Sequence, residues 1–180
     1  MHFRILTLHK IDSTQTYSLA LAREGISEGT VVVSDYQTKG RGRYHRKWVS
    51  PRGKNLLFSI VLRPRLKVHA SPLLTYLAAR AVKETLTREA QVQGVIKKPN
   101  DVLINGRKVC GILTESHSRS GVTDYVVIGV GINVNSKRSV LVRGATSLLD
   151  VTGKETSLEG LLTEFLRIFA KHYYSFLKKG

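Results

Sequence analysis

Lys39-Gly40-Arg41-Gly42-Arg43-Tyr44-His45-Arg46-Lys47-Trp48-Val49-Ser50-Pro51-Arg52-Gly53-Lys54-Asn55 is the stretch on which the reading of this chain turns. It mixes glycines with seven cations and holds the only tryptophan. Glycine lets backbone turn sharply and approach a ligand closely. Arginine offers several donors in one plane to a carboxylate or phosphate. On residue types alone, this loop is built to close over an anion. Its flanks place it in a sheet. Residues 30–35 are short and β-branched, as in a buried strand, and residues 55–62 form an apolar strand closed by Arg63-Pro64.

Working outward, residues 3–8 read as a strand. Asp12, Ser13 and Thr14 supply oxygens for a helix N-terminus, and the helix ends before Gly25. Ser71-Pro72 marks the start of a helix to about residue 89, with serine as cap and proline in the first turn. Residues 95–98 are extended, because a residue before proline is pushed out of the helical region. Asn105-Gly106 predicts a tight hairpin between strands 101–105 and 107–115. A polar loop at 117–121 precedes a strand at 123–132. Thr156-Ser157-Leu158-Glu159 reads as a capping box. Leu158, Leu161, Leu162, Phe165, Phe169 and Tyr173 then make one apolar helical stripe, read as core, and Lys178 and Lys179 suit the helix C-terminus. The order predicts an α/β (α+β) fold, a mixed sheet backed by helices.

The chain has 180 residues and a net charge of +16. That length suits one domain spanning 1–180 with a real core. Between Asp35 and Glu84 there are twelve Lys or Arg and no acid, so anionic partners are expected. The lone Cys110 permits no intrachain disulfide, which fits a reducing cytoplasm. It lies in an apolar run and reads as a small buried hydrophobe. The histidines show no metal-ligand spacing, no apolar run is long enough to span a bilayer, and the N-terminus lacks a signal-peptide core.

Generic signatures fail. There is no Walker A motif, no completed Gly-x-Gly-x-x-Gly and no Gly-x-Ser-x-Gly. Three segments remain beside Asp12-Ser13-Thr14: the loop from Asp35 to Leu56; Lys97-Lys98-Pro99-Asn100-Asp101 with Gly106-Arg107-Lys108 and Gly111-Ile112-Leu113; and Gly129-Val130-Gly131-Ile132-Asn133-Val134-Asn135. Each sets polar residues at a strand end beside Gly or Pro, where a rigid sheet presents them. In this order, through Ala145-Thr146-Ser147-Leu148 to the final helix, they resemble the catalytic domain of biotin protein ligases.

That resemblance implies a fold related to class II aminoacyl-tRNA synthetases and a two-step reaction. Biotin and ATP give biotinyl-5′-AMP, and a lysine of a biotin carboxyl carrier protein or domain then takes the biotinyl group. By the same resemblance, Arg43 and Lys97 are the catalytic cations. Ser13, Thr14, Gln37, Gly40, Arg41, Arg43, Lys97 and Gly129 bind biotin. Arg43, Arg46, Lys97 and Asn133 bind ATP, with Asn133 near Mg2+. Lys98 is a bystander, and Trp48 anchors the loop without touching substrate. The loop is expected to order on binding.

Two positions depart from the family pattern. Lys98 stands where tryptophan is usual, and Tyr44-His45 replaces Arg-Gly in the loop. The chain also reads as a minimal form, without an N-terminal DNA-binding domain or a C-terminal β-barrel. Specific DNA binding is therefore not expected, no membrane association is expected, and a homodimer is left open. A lipoate or octanoate ligase or transferase of the same fold, and a non-enzymatic anion- or nucleic-acid-binding domain, stand as alternatives. The Gly-Arg-Gly-Arg loop favours biotin.

Overall fold

The computed structural model describes residues 1–64, 66–67 and 71–178. Among them one sheet is built from β1 (Arg4–Leu8), β2 (Thr30–Ser34), β3 (Leu56–Leu62), β4 (Val95–Lys97), β5 (Asp101–Ile104), β6 (Arg107–Arg119) and β7 (Val122–Ile132). Their spatial order is β1-β2-β3-β7-β6-β5-β4. Only β1 and β2 run parallel, and every other neighbouring pair is antiparallel. The helices are α1 (Thr14–Arg23), α2 (Ser71–Ala90), α3 (Leu148–Thr152) and α4 (Leu158–Leu177). The mixed sheet backed by helices is the architecture that the sequence predicts.

Side chains alternate across a strand, so each strand assigns its residues to two faces. Leu56, Phe58, Ile60 and Leu62 of β3 join Val126, Ile128, Val130 and Ile132 of β7 in the main core, which α2 and α4 cover. The predicted stripe of α4 supplies its half. Phe165 meets Phe58 edge-on with ring centres 5.0 Å apart, and Phe169 and Tyr173 stack in series behind it. Cys110 lies in this core as a buried thiol, and burial pushes its pKa up, which removes it as a nucleophile.

The opposite face has two regions. At one end Ala22 of α1 packs on Val61, Tyr125 and Val127. Toward the other end the residues become small. Ser59, Gly129 and Leu113 align across β3, β7 and β6, and the next row is Leu57, Gly131 and Gly111. This glycine-floored region is where the site forms.

Several local expectations are corrected. Residues 117–119 belong to β6, and the turn is Ser120-Gly121 alone, with φ of 49° and 79°. Val95–Lys97 pairs as the edge strand β4. The short helix α3 was not foreseen, and Ser147 caps it. The cap of α4 is Ser157, accepting from the Gly160 amide, so no reciprocal box forms from Thr156. Thr156 is instead pinned by both ends of the Asn135 amide. The cap of α2 and Lys179 fall outside the described residues.

Candidate functional site

Residues 40–48 fold as a small hairpin. Trp48 N donates to Gly40 O at 2.9 Å, and Gly42 N donates to Arg46 O at 2.7 Å. A 3₁₀ turn, Arg43–His45, closes the tip, with Tyr44 and His45 left-handed at φ of 53° and 59°. The hairpin is fastened by Trp48, which lies on the glycine pair Gly111 and Gly131. A Cβ on Gly131 would stand 2.6 Å from the indole, and one on Gly111 would stand 2.9 Å from it. The anchoring expected of Trp48 is thus present, and its Nε1 is buried without a hydrogen-bond partner.

Two clefts flank the hairpin. The first lies between Ser13, Thr14 and Gln15 of the α1 entry, Gln37, and the floor residues Gly111, Gly129 and Gly131. Its polar end is a connected network. Thr14 N and Oγ1 donate to Gln37 Oε1 at 2.7 and 3.2 Å, and Ser59 Oγ donates to Thr14 Oγ1 at 2.9 Å. Gln15 Nε2 donates to Glu115 Oε2 and to Val127 O, while Arg41 Nη2 donates to Glu115 Oε1 at 2.8 Å. A Cβ on Gly129 would lie 2.5 Å from Gln15 Oε1, so a side chain there would displace the Gln15 amide from its network. The result is a pocket end of oriented neutral donors and acceptors, held from behind by the Arg41–Glu115 ion pair.

The second cleft is the roomier of the two. Arg46, Lys47 and Asn133 line it on the polar side, and Val140, Leu141 and Val142 on the apolar side. Asn133 is buried, and its Nδ2 donates to Thr146 O, which orients the amide. Gly42, Arg43, Trp48, Asn100 and Lys108 line both clefts. Arg43 Nη1 reaches Asn100 Oδ1 at 3.2 Å, and Lys108 Nζ lies 2.7 Å from Asp101 Oδ1.

Two expected site residues do not take their places. Lys97 is exposed on the edge strand β4 and lines neither cleft. Lys108, on β6, is the lysine in the common wall. The register explains the exchange: Lys97 pairs with Asp101 on β5, and Asp101 pairs with Gly111 on β6, so Lys97 stands two strands out from the floor. Gly40 is buried in the base of the hairpin rather than lining the cleft, and a Cβ there would stand 2.4 Å from Trp48 O. Ser13, Thr14, Gln37, Arg41, Arg43 and Gly129 line the first cleft, and Arg43, Arg46 and Asn133 line the second.

The model of the Biotin/lipoate A/B protein ligase family matches residues 8–133, which run from the end of β1 to the Asn133 of the second cleft. The chain belongs to that family. Among family relatives, it is 41% identical over 174 residues to the bifunctional ligase/repressor BirA of Bacillus spizizenii, covering 94% of this chain and 54% of that protein. It is 37% identical over 167 residues to the biotin–[acetyl-CoA-carboxylase] ligase of Paracoccus denitrificans, covering 91% of this chain and 68% of that one. The biotin protein ligase from Aquifex aeolicus in complex with biotin and ATP superposes with a TM-score of 0.83 at 33% identity, over 98% of this chain and 72% of that one. The chain spans about half the length of the BirA relatives it matches.

Four contributors were missed in the sequence. Gln15 follows Ser13-Thr14, and Ser59 is the one polar residue in Leu56–Leu62. Glu115 is the acid that holds Arg41. Lys108, in Gly106-Arg107-Lys108, carries the same local signal as Lys97, a lysine near a strand end beside glycine or proline. The interruption of an apolar strand by Ser59 was the signal that could have found it.

Proposed function

We propose that this chain is an ATP-dependent biotin protein ligase, which forms biotinyl-5′-AMP and transfers the biotinyl group to a lysine of a biotin carboxyl carrier domain. The observation that carries the reading is the wall between the clefts, which holds Arg43 and Lys108 facing both. A carboxylate from one side and a phosphate from the other repel one another. Fixed cations at their meeting point offset that repulsion as negative charge builds in the transition state.

In the first step a biotin carboxylate oxygen attacks the α-phosphorus of ATP. The bond from that phosphorus to the bridging oxygen breaks, and pyrophosphate leaves with the electron pair. In the second step a neutral lysine amine attacks the acyl carbon of the mixed anhydride. The acyl C–O bond breaks, AMP departs, and the amine loses a proton. Arg43 and Lys108 hold the reacting oxygens, and Arg46 and Lys47 stand by the outer phosphates. Lys108 takes the role that the sequence gave to Lys97. Ser13, Thr14 and Gln37 hold the ureido ring, since a neutral polar ring needs neutral donors and acceptors.

Magnesium fits a phosphate-held ion better than a protein cage. No group of three His, Cys, Asp or Glu able to hold a metal occurs among the described residues. Magnesium keeps several waters and few protein ligands beside phosphates. Asn133, an oriented amide in the second cleft, would hold it, and the ion would neutralise phosphate charge.

Lipoate or octanoate would set an apolar end against Thr14, Gln15 and Gln37, whose spare donors and acceptors a ureido ring can use and an alkyl chain cannot. Among the described residues no helix is long and apolar enough to cross a membrane, which is compatible with the proposed cytoplasmic setting. The test is incubation with labelled ATP, magnesium and, in separate arms, biotin, lipoate or octanoate. Biotinyl-AMP in the first arm supports the reading. An adenylate only with lipoate or octanoate replaces it, and no adenylate in any arm overturns it.

A further inference from the structure

Three cations line the first cleft, and two are already paired with carboxylates. Arg41 is held by Glu115 at 2.8 Å, and Lys108 lies 2.7 Å from Asp101. Arg43 has no acidic partner among the described residues. It is held by neutral oxygens instead: Nη1 donates to Asn100 Oδ1 at 3.2 Å and Nη2 donates to the Tyr44 hydroxyl at 3.1 Å. Its guanidinium carbon also lies 4.8 Å from the centre of the Tyr44 ring. Asn100 is fixed in turn, because its Nδ2 donates to Ile112 O at 2.9 Å. That sets Oδ1 toward Arg43.

Tyr44 is not a packing residue, since it is 76% exposed. Its backbone is left-handed, at φ 53° and ψ 42°, a conformation that costs energy for a residue with a Cβ. What the ring and hydroxyl contact is Arg43. A carboxylate in the same place would hold the arginine more tightly, but it would compete with an incoming anion. A phenol and an amide restrain the guanidinium and leave its charge uncompensated.

We propose that Tyr44 is a positioning residue. With Asn100 it holds Arg43 across the wall between the two clefts, charged and unpaired, before the nucleotide arrives. The identity of the anion rests on the ligase reading, whereas the clamp on Arg43 does not.

The test is a double-mutant cycle on binding of ATP with magnesium, read by titration calorimetry in the absence of biotin, so that no turnover is needed. Wild type, Tyr44→Phe, Tyr44→Ala, Arg43→Ala and the Arg43→Ala/Tyr44→Ala double variant are compared. Tyr44→Ala is expected to weaken binding about fivefold and Tyr44→Phe about twofold, since the latter keeps the ring and loses the hydroxyl. In the Arg43→Ala background, Tyr44→Ala is expected to change nothing further, because the two residues act as one unit. Equal losses with and without Arg43 would show that Tyr44 touches the nucleotide or merely shapes the loop, and would overturn the proposal. So would no loss at all, or a wild type that fails to bind ATP. Tyr44→Gly relaxes the backbone and removes the ring; if it binds as well as wild type, the side chain is not the clamp. A coupled cycle in a protein that makes no biotinyl-AMP would sink the ligase reading and leave the clamp standing.

Discussion

Lys108 Nζ lies 2.7 Å from Asp101 Oδ1, yet that oxygen has no aligned hydrogen-bond donor. The pair is therefore coulombic contact without good hydrogen-bond geometry. Both side chains are partly exposed, at 35% and 26%, so water weakens the attraction further. The lysine also sits 5.6 Å from the centre of the Trp48 ring. A cation in the wall common to two clefts, held by a contact without hydrogen-bond alignment, is placed to turn toward a substrate oxygen.

Lys108→Ala is expected to slow biotinyl-AMP formation by about 10²–10³, the scale seen when one charge-stabilising donor is removed. Lys97→Ala is expected to stay within about twofold of wild type, as an exposed residue away from both clefts. Single-turnover formation of the adenylate measures both. A severe loss in Lys97→Ala with a mild one in Lys108→Ala would reverse the assignment.

Gly131→Ala tests the fastening of the loop. The new Cβ would meet the Trp48 indole at 2.6 Å, and the indole cannot shift without lifting the hairpin. Overpacking of this kind costs about 1–3 kcal/mol. Faster tryptic cleavage after Arg43 and Arg46 is expected, with a red-shifted Trp48 emission. Biotin and ATP together are expected to protect the loop in wild type. Equal cleavage with and without ligands would argue against ordering on binding.

The sheet was legible because short apolar runs bounded by turn residues, as in β2, β3 and β7, read as strands buried on both faces. The tryptophan anchor was legible from a single large ring among glycines. The lysine was not, because Lys97 and Lys108 both stand near strand ends beside glycine or proline. Only the register of β4, β5 and β6 separates them. The network of Gln15, Ser59 and Glu115 was hidden for a similar reason. It joins α1, β3 and β6, and no local pattern announces such a meeting. His45 sits at φ 59°, where a glycine would be unstrained, so the loop's departure from the family pattern carries a backbone cost.

Tyr173 offers a test of stability that is independent of the site. Its hydroxyl donates to Glu28 Oε1 at 2.6 Å, and its ring is buried at the end of the α4 stripe. Burial first, and then the bond to Glu28, push its pKa up from the ordinary tyrosine value. A raised folded-state pKa means that the unfolded chain ionises first. Its contribution is thus complete below about pH 10, the unfolded tyrosine value, and is lost as pH rises beyond it. Tyr173→Phe is expected to cost about 1–2 kcal/mol at neutral pH and to flatten the alkaline decline seen in urea melts. An unchanged alkaline slope would show that other groups control it.

Ionic strength separates the two steps of the proposed reaction. Lys97, Lys98 and Arg107 are exposed outside both clefts, and none has a carboxylate partner among the described residues. Such charges draw an acidic carrier surface from a distance, and salt screens that attraction over a Debye length of about 10 Å at 0.1 M and about 3 Å at 1 M. Arg43 and Lys108 act at contact distance within the wall, where screening is weaker. Transfer to an acidic carrier domain is therefore expected to slow steeply between about 0.05 and 0.5 M salt, with adenylate formation slowing much less. Rapid-quench measurement of each half-reaction gives the two slopes. A transfer rate that ignores salt would remove the basic surface from any role in carrier recognition.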